Sequence, residues 1–164
     1  MQFTLGLNKK TLLKPALLIL MGSLAMGLCT HLRIHLFFTP VPLVVQNAVA
    51  IALGIALGPV MGAISVGVFL LTRFDALMSP LGGYLIGYLL SAVTAGSIYK
   101  MHARLLPVAL FVALLVQYAC GLGVLSFYLP AARLLPLGVY PFFLLDVCKL
   151  AGVWLLNKAA IRRT

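Results

Sequence analysis

Acidic side chains are nearly absent from this 164-residue sequence, which holds two aspartates, Asp75 and Asp146, and no glutamate. Charged residues of either sign make up only 9%, too few to cover a water-exposed domain of this size. With 63% hydrophobic residues and a mean hydropathy of +1.17, against roughly 45–50% apolar usage in soluble proteins, a soluble globule is excluded. A disordered chain would need the opposite balance. Catalytic signatures are missing as well. No HExxH, GxSxG, P-loop or GxGxxG pattern occurs, so an enzyme has almost no material here and the chain cannot hydrolyse ATP by itself. Cys29, Cys120 and Cys148 stand apart in apolar stretches with no CxxC spacing, which favours small buried hydrophobes over metal or disulfide roles. Strict apolar/polar alternation is also lacking, so an outer-membrane barrel does not fit; long apolar runs leave an all-α integral membrane protein.

What is present is a set of apolar runs of spanning character. Six segments are predicted, at about 15–38, 44–57, 60–73, 81–98, 105–129 and 137–156, forming a single six-helix membrane domain over 1–164. The second and third are short and joined only by Gly58 and Pro59, as in a tight helical hairpin. The first run follows Lys9, Lys10 and Lys14 as a signal peptide would, yet it exceeds an h-region and lacks a convincing cleavage site, so it is expected to stay in the mature protein. The net charge of +10 would suggest nucleic acid in a soluble protein, but the positions of the charges argue for topology determinants instead, and no nucleic-acid partner is expected. Lys9, Lys10, Lys14, Lys100, Arg104, Lys158, Arg162 and Arg163 fall on one side of the six spans, and Arg33, Arg73 and Arg133 on the other. That imbalance places both termini in the cytoplasm and requires an even number of spans.

Small residues recur at helix-contact spacing: Gly54, Gly58 and Gly62, then Gly83 and Gly87, and Ser23 with Gly27 in the first span. Such faces allow close backbone approach, either within the bundle or, for Ser23 and Gly27, against another membrane subunit; spacing alone does not separate the two. Ionisable groups inside a span cost about 2.5–3.5 kcal/mol on insertion scales, which makes Asp146 and Lys149, three apart in PFFLLDVCKL, the first candidates for a site. They share one helix face and could form a self-neutralising pair or a ligand site. From an outer start near Leu137 they would lie roughly 14 and 18 Å deep. The outer side also collects His31 to Gln46, Arg73, Asp75 and Arg133, a mouth suited to an anionic molecule with a lipophilic body. His31 and His35 have i, i+4 spacing, but without an accompanying carboxylate they read as interfacial histidines rather than metal ligands.

Several stretches together resemble one family. Phe38-Thr-Pro-Val-Pro-Leu-Val-Val-Gln46, Leu57-Gly-Pro59 with Gly62-Ala63, Pro80-Leu-Gly-Gly-Tyr-Leu-Ile-Gly87, Gly121-Leu-Gly123 and Pro141-Phe-Phe-Leu-Leu-Asp-Val-Cys-Lys149 occur in order. This is similar to BioY, the biotin-specific substrate-binding S component of energy-coupling-factor transporters. One departure stands between the third and fourth spans, where Thr72-Arg-Phe-Asp-Ala-Leu-Met78 replaces the family's usual Gly- and Pro-rich stretch. The resemblance implies a six-helix protein of the bacterial cell membrane that captures biotin from outside. It also implies work with a transmembrane coupling subunit and paired ABC-type ATPases, with lipid as surroundings and no cofactor, biotin being cargo. Carried over residue by residue, it implies a substrate site at Asp146, Lys149, Gln46 and Tyr84, more loosely Arg33, and a docking face for the coupling subunit at Ser23 and Gly27.

Overall fold

A computed structural model describes residues 9–34, 37–38 and 40–161, with backbone alone for 9–12, 33–34 and 161. The expectations placed on His35, Arg162 and Arg163, and on the side chains of Lys9, Lys10 and Arg33, lie outside the described residues. Helix dominates. The first helix, α1 (Lys9–Cys29), does not continue to residue 38 as the apolar run suggested. Its end tightens through Thr30, His31 and Leu32, whose N–H groups donate to Gly27, Leu28 and Cys29 at 3.0–3.1 Å. The chain then turns into a small hairpin, β1 (Arg33–Ile34) pairing antiparallel with β2 (Leu43–Val44) in the register Arg33 to Val44 and Ile34 to Leu43. Hydropathy misses this change because hairpin and helix are equally apolar. Pro40 and Pro42 cannot sit inside a helix, and the neighbouring β-branched residues suit extended backbone.

Five of the remaining helices follow the predicted runs within a few residues: α2 (Gln46–Leu57), α3 (Pro59–Leu71), α5 (Gly82–Met101), α6 (Leu106–Leu125) and α8 (Tyr140–Ile161); a one-turn α4 (Phe74–Leu77) and α7 (Ala131–Gly138) were not expected. Gly58 links α2 to α3 at φ 84, a left-handed conformation that glycine adopts without a steric penalty, and Pro59 opens α3 where its missing N–H costs nothing. The expected sixth segment opens inside α7, and a break at Val139 separates that helix from α8. The expected fifth segment stops at Leu125 rather than 129, because residues 126–130 form turns that end at Pro130.

Close crossings organise the bundle around α5. A Cβ added at Gly54 would strike the backbone of Ala92 on α5, one at Gly62 would meet the backbone of Gly54 at 2.7 Å, and one at Gly96 would meet Pro59 at 2.7 Å. On the other side of α5, Gly83 abuts Cys120 and Val124 of α6, and a Cβ added at Gly87 would meet the backbone of Gln117 at 3.0 Å. These glycines therefore serve packing inside the bundle. The helix α1 seats on α3 through Gly22 against Ser65, with Met26 fully buried. Two apolar clusters flank α5, one around Ile51, Leu110, Leu114 and Phe142, the other around Met26, Val66, Phe69 and Leu85. The outward faces are apolar too: Leu13, Leu17, Leu20, Leu24 and Leu28 form a ridge on α1, and Leu144, Leu155 and Leu156 protrude from α8. Surface of that extent has no stable place in water. Among the described residues, Ala103–Leu125 and Ala131–Ala160 are long and apolar enough to cross a membrane by length and composition.

Candidate ligand-binding site

Beneath the β1–β2 hairpin lies a cavity that opens to one side. Its position follows from the fold. The hairpin and the start of α2 bring Val41, Val44, Gln46 and Asn47 to one wall; α5 contributes Tyr84, Leu85 and Tyr88, α6 Gln117 and Tyr118, and α8 Phe142, Asp146 and Lys149. The stretch between α3 and α5 adds Arg73, Ala76 and Leu81.

Asp146 and Lys149 form an ion pair, Nζ to Oδ1 at 2.7 Å, as their i, i+3 spacing allows. The pair is not private. Tyr118 donates its hydroxyl to Asp146 Oδ2 at 2.6 Å, and Lys149 also donates to the carbonyl of Val44 at 2.6 Å. This last bond ties α8 to the hairpin above it. Asp146 is 4% exposed, and both of its oxygens are engaged. Capacity remains nonetheless: an ammonium has three donors, of which two are used, and each carboxylate oxygen can accept again. Because α8 begins at Tyr140, Asp146 stands six residues along it, about 9 Å from the helix start.

The other expected residues divide. Gln46 lines the cavity, but its Nε2 donates to Met26 O at 3.1 Å and Thr30 Oγ1 at 2.8 Å, tying the end of α1 to the start of α2. Tyr84 presents its ring to the cavity while its hydroxyl donates to Gly138 O at 2.8 Å, holding α7. Gly121 gives that ring room, since a Cβ there would meet Tyr84 at 2.5 Å or less. Arg33 is placed by its backbone opposite Val44 in the hairpin, and its side chain lies outside the described residues. Ser23 and Gly27 lie on α1 and do not line the cavity; both are half-buried, and a Cβ at Gly27 would meet nothing within 4 Å.

Several polar lining residues escaped the sequence reading as site members. Arg73 was recognised only as one of three outer arginines, and Asn47, Tyr88, Gln117 and Tyr118 were not singled out. Gln117 carried a usable signal, a lone amide in the apolar run LPVALFVALLVQYAC, which is costly unless it has a task. The atypical 72–78 stretch folds as the short α4 and places Arg73 and Ala76 against the cavity.

Comparison with known proteins fits this picture. The sequence profile of the BioY family matches residues 4–164. Among solved structures, the chain is similar to the S-component for biotin from an ECF-type ABC transporter, with a TM-score of 0.80 and 22% identity over 97% of this chain and 96% of that one. At that identity the likeness is one of fold. No curated protein sequence matches.

Proposed function

The chain belongs to the BioY family, and from that membership we propose that it is the substrate-binding subunit of a biotin transporter, capturing biotin from outside and delivering it inward with an energy-coupling module. The observation that carries this reading is the charged network Asp146–Lys149–Tyr118 set in the wall of an otherwise apolar cavity. Biotin offers a carboxylate, an apolar thiophane ring and a ureido group with two N–H donors and one carbonyl acceptor. Tyr84, Tyr88, Leu85 and Phe142 give the ring an apolar slot, while Lys149 keeps a spare donor and Asp146 spare acceptor capacity. Gln46 and Tyr84 act by holding the cavity walls in place, and Arg33 acts from the rim of the hairpin.

In this reading the protein is a single domain of six spans with both termini in the cytoplasm of a bacterial cell, and α1 is the docking element. The open space over Gly27 and the half-buried Ser23 leave a face on which a coupling subunit can approach closely. ABC-type ATPases then supply the energy, and the chain itself performs no chemistry. Equilibrium dialysis of the detergent-purified protein with labelled biotin, with riboflavin and thiamine as competitors, tests the assignment. Saturable binding that neither competitor displaces is expected; no binding, or displacement by either vitamin, would refute it.

A further inference from the structure

A second concavity lies apart from the ligand site, as a groove on the flank of the bundle between α6 and α8. Pro107, Leu110 and Leu114 line it from α6, and Val147, Leu150 and Trp154 from α8, each set in the i, i+3, i+7 spacing that shares one helix face. Leu110, Leu114 and Leu150 are buried and make its floor, while Phe111 and Val147 stand half exposed at its rims. Apart from the indole N–H of Trp154 the lining side chains are apolar. Each stripe is about 10 Å long at 1.5 Å per residue, against about 15 Å for one leaflet's half of the hydrocarbon core. A single extended acyl chain matches it.

Both stripes run into a cation at the same end of the bundle. Arg104 lies one turn before Pro107, and Lys158 one turn after Trp154. The Tyr99 hydroxyl of α5 donates to Asn157 Oδ1 of α8 at 3.3 Å, which sets the end of α8 beside the α5–α6 turn that carries Arg104. Lys158 Nζ stands 3.9 Å from the centroid of the Trp154 ring, so its charge is held at the end of the groove. The chain has no acidic side chain to pair with these two. Asp75 lies on α4, before the opposite end of α5, and Asp146 is bound to Lys149 and Tyr118. The anion therefore comes from outside the chain, joined to something that fills an apolar groove. Resting on the membrane topology read above, we propose that the α6–α8 groove binds an anionic phospholipid of the cytoplasmic leaflet, one acyl chain along the groove and the headgroup phosphate between Arg104 and Lys158.

Trp154 is the chain's single tryptophan, so its fluorescence reports on the groove directly. The full chain is reconstituted in phosphatidylcholine liposomes containing a minor fraction of either phosphatidylglycerol or phosphatidylcholine brominated on the acyl chains, and quenching is referred to each protein's own fluorescence without bromine. One basic residue at an anionic headgroup is worth about fivefold in affinity, so the wild type should prefer phosphatidylglycerol about twentyfold. Lys158→Gln and Arg104→Gln should each lower that preference about fivefold, and the two together should abolish it. Lys14→Gln removes an equal charge on α1 and should leave the preference unchanged. Equal quenching of the wild type by both lipids overturns the proposal, and this comparison needs no variant to fold. A fivefold loss with Lys14→Gln also overturns it, since the preference would then belong to the overall charge. So does quenching by neither lipid together with cross-linking into dimers, which would give the groove to a second copy of the chain. The liposomes carry the probe lipid in both leaflets, so labelling of an added C-terminal cysteine from outside intact cells would remove the cytoplasmic placement without touching the quenching result.

Discussion

Substituting alanine for glycine at four positions gives opposite signs that depend only on the helix crossings. In a helix interior, alanine is favoured over glycine by roughly 0.5–1 kcal/mol, so propensity alone forecasts stabilisation everywhere. At Gly67 and Gly152 that forecast should hold, because the new Cβ would meet only Leu89 Cδ1 at 3.8 Å in the first case and nothing within 4 Å in the second. At Gly54 the same atom would lie 2.8 Å from the carbonyl carbon of Ala92 and 2.9 Å from its Cα, both backbone atoms that no rotamer change can remove. Gly62 is alike, with Gly54 Cα at 2.7 Å. Separating two packed helices is an overpacking strain of about 1–3 kcal/mol, which outweighs the propensity gain. Net destabilisation of about 1–2 kcal/mol is expected at Gly54 and Gly62, a fall in unfolding temperature of about 2–8 °C for a chain of this length. Thermal unfolding in one detergent, by tryptophan-independent circular dichroism, reads all four variants. Stabilisation by Gly54→Ala, or destabilisation of similar size by Gly152→Ala, would refute the crossing of α2 and α5 described above.

Three further outcomes are expected. Lys149→Ala alone should destabilise the protein by about 3–5 kcal/mol in denaturant or thermal unfolding, since it leaves Asp146 buried with only Tyr118 as a partner. Ser23→Leu with Gly27→Leu should reduce biotin uptake by cells while leaving binding by the purified protein intact; joint loss would point to packing within the bundle instead. A cysteine added at the C-terminus should resist membrane-impermeant thiol reagents in intact cells and react once they are permeabilised, because the basic residues gather on that side.

The helices were legible because burial in a membrane and length of span both write themselves into hydropathy. The glycine crossings were legible in spacing, although only the contacts at Ala92 and Cys120 settle that these faces pack inside the bundle. The hairpin at Arg33–Val44 was not legible, since Leu, Ile and Val serve strand and helix alike and only Pro40 and Pro42 hinted at a change. For the site, Asp146 and Lys149 stood out because charge within an apolar run is costly. Tyr118 and Tyr88 did not, because tyrosine is common in such helices and its hydroxyl partner lies on another element. Gln46 illustrates the converse: it lines the cavity, while the amide's bonds to Met26 and Thr30 depend on a tertiary contact that no local pattern records.

The most direct measurement is biotin binding by the double variant Asp146→Leu/Lys149→Met, made alongside its unfolding temperature. Removing both charges of a buried pair is often harmless, so the variant should fold and unfold within a few degrees of wild type. If the pair serves the ligand, two charge-assisted hydrogen bonds are lost together, and biotin affinity should fall by about a hundredfold or more. A folded double variant that binds biotin as tightly as wild type would contradict the assignment of this cavity as the biotin site.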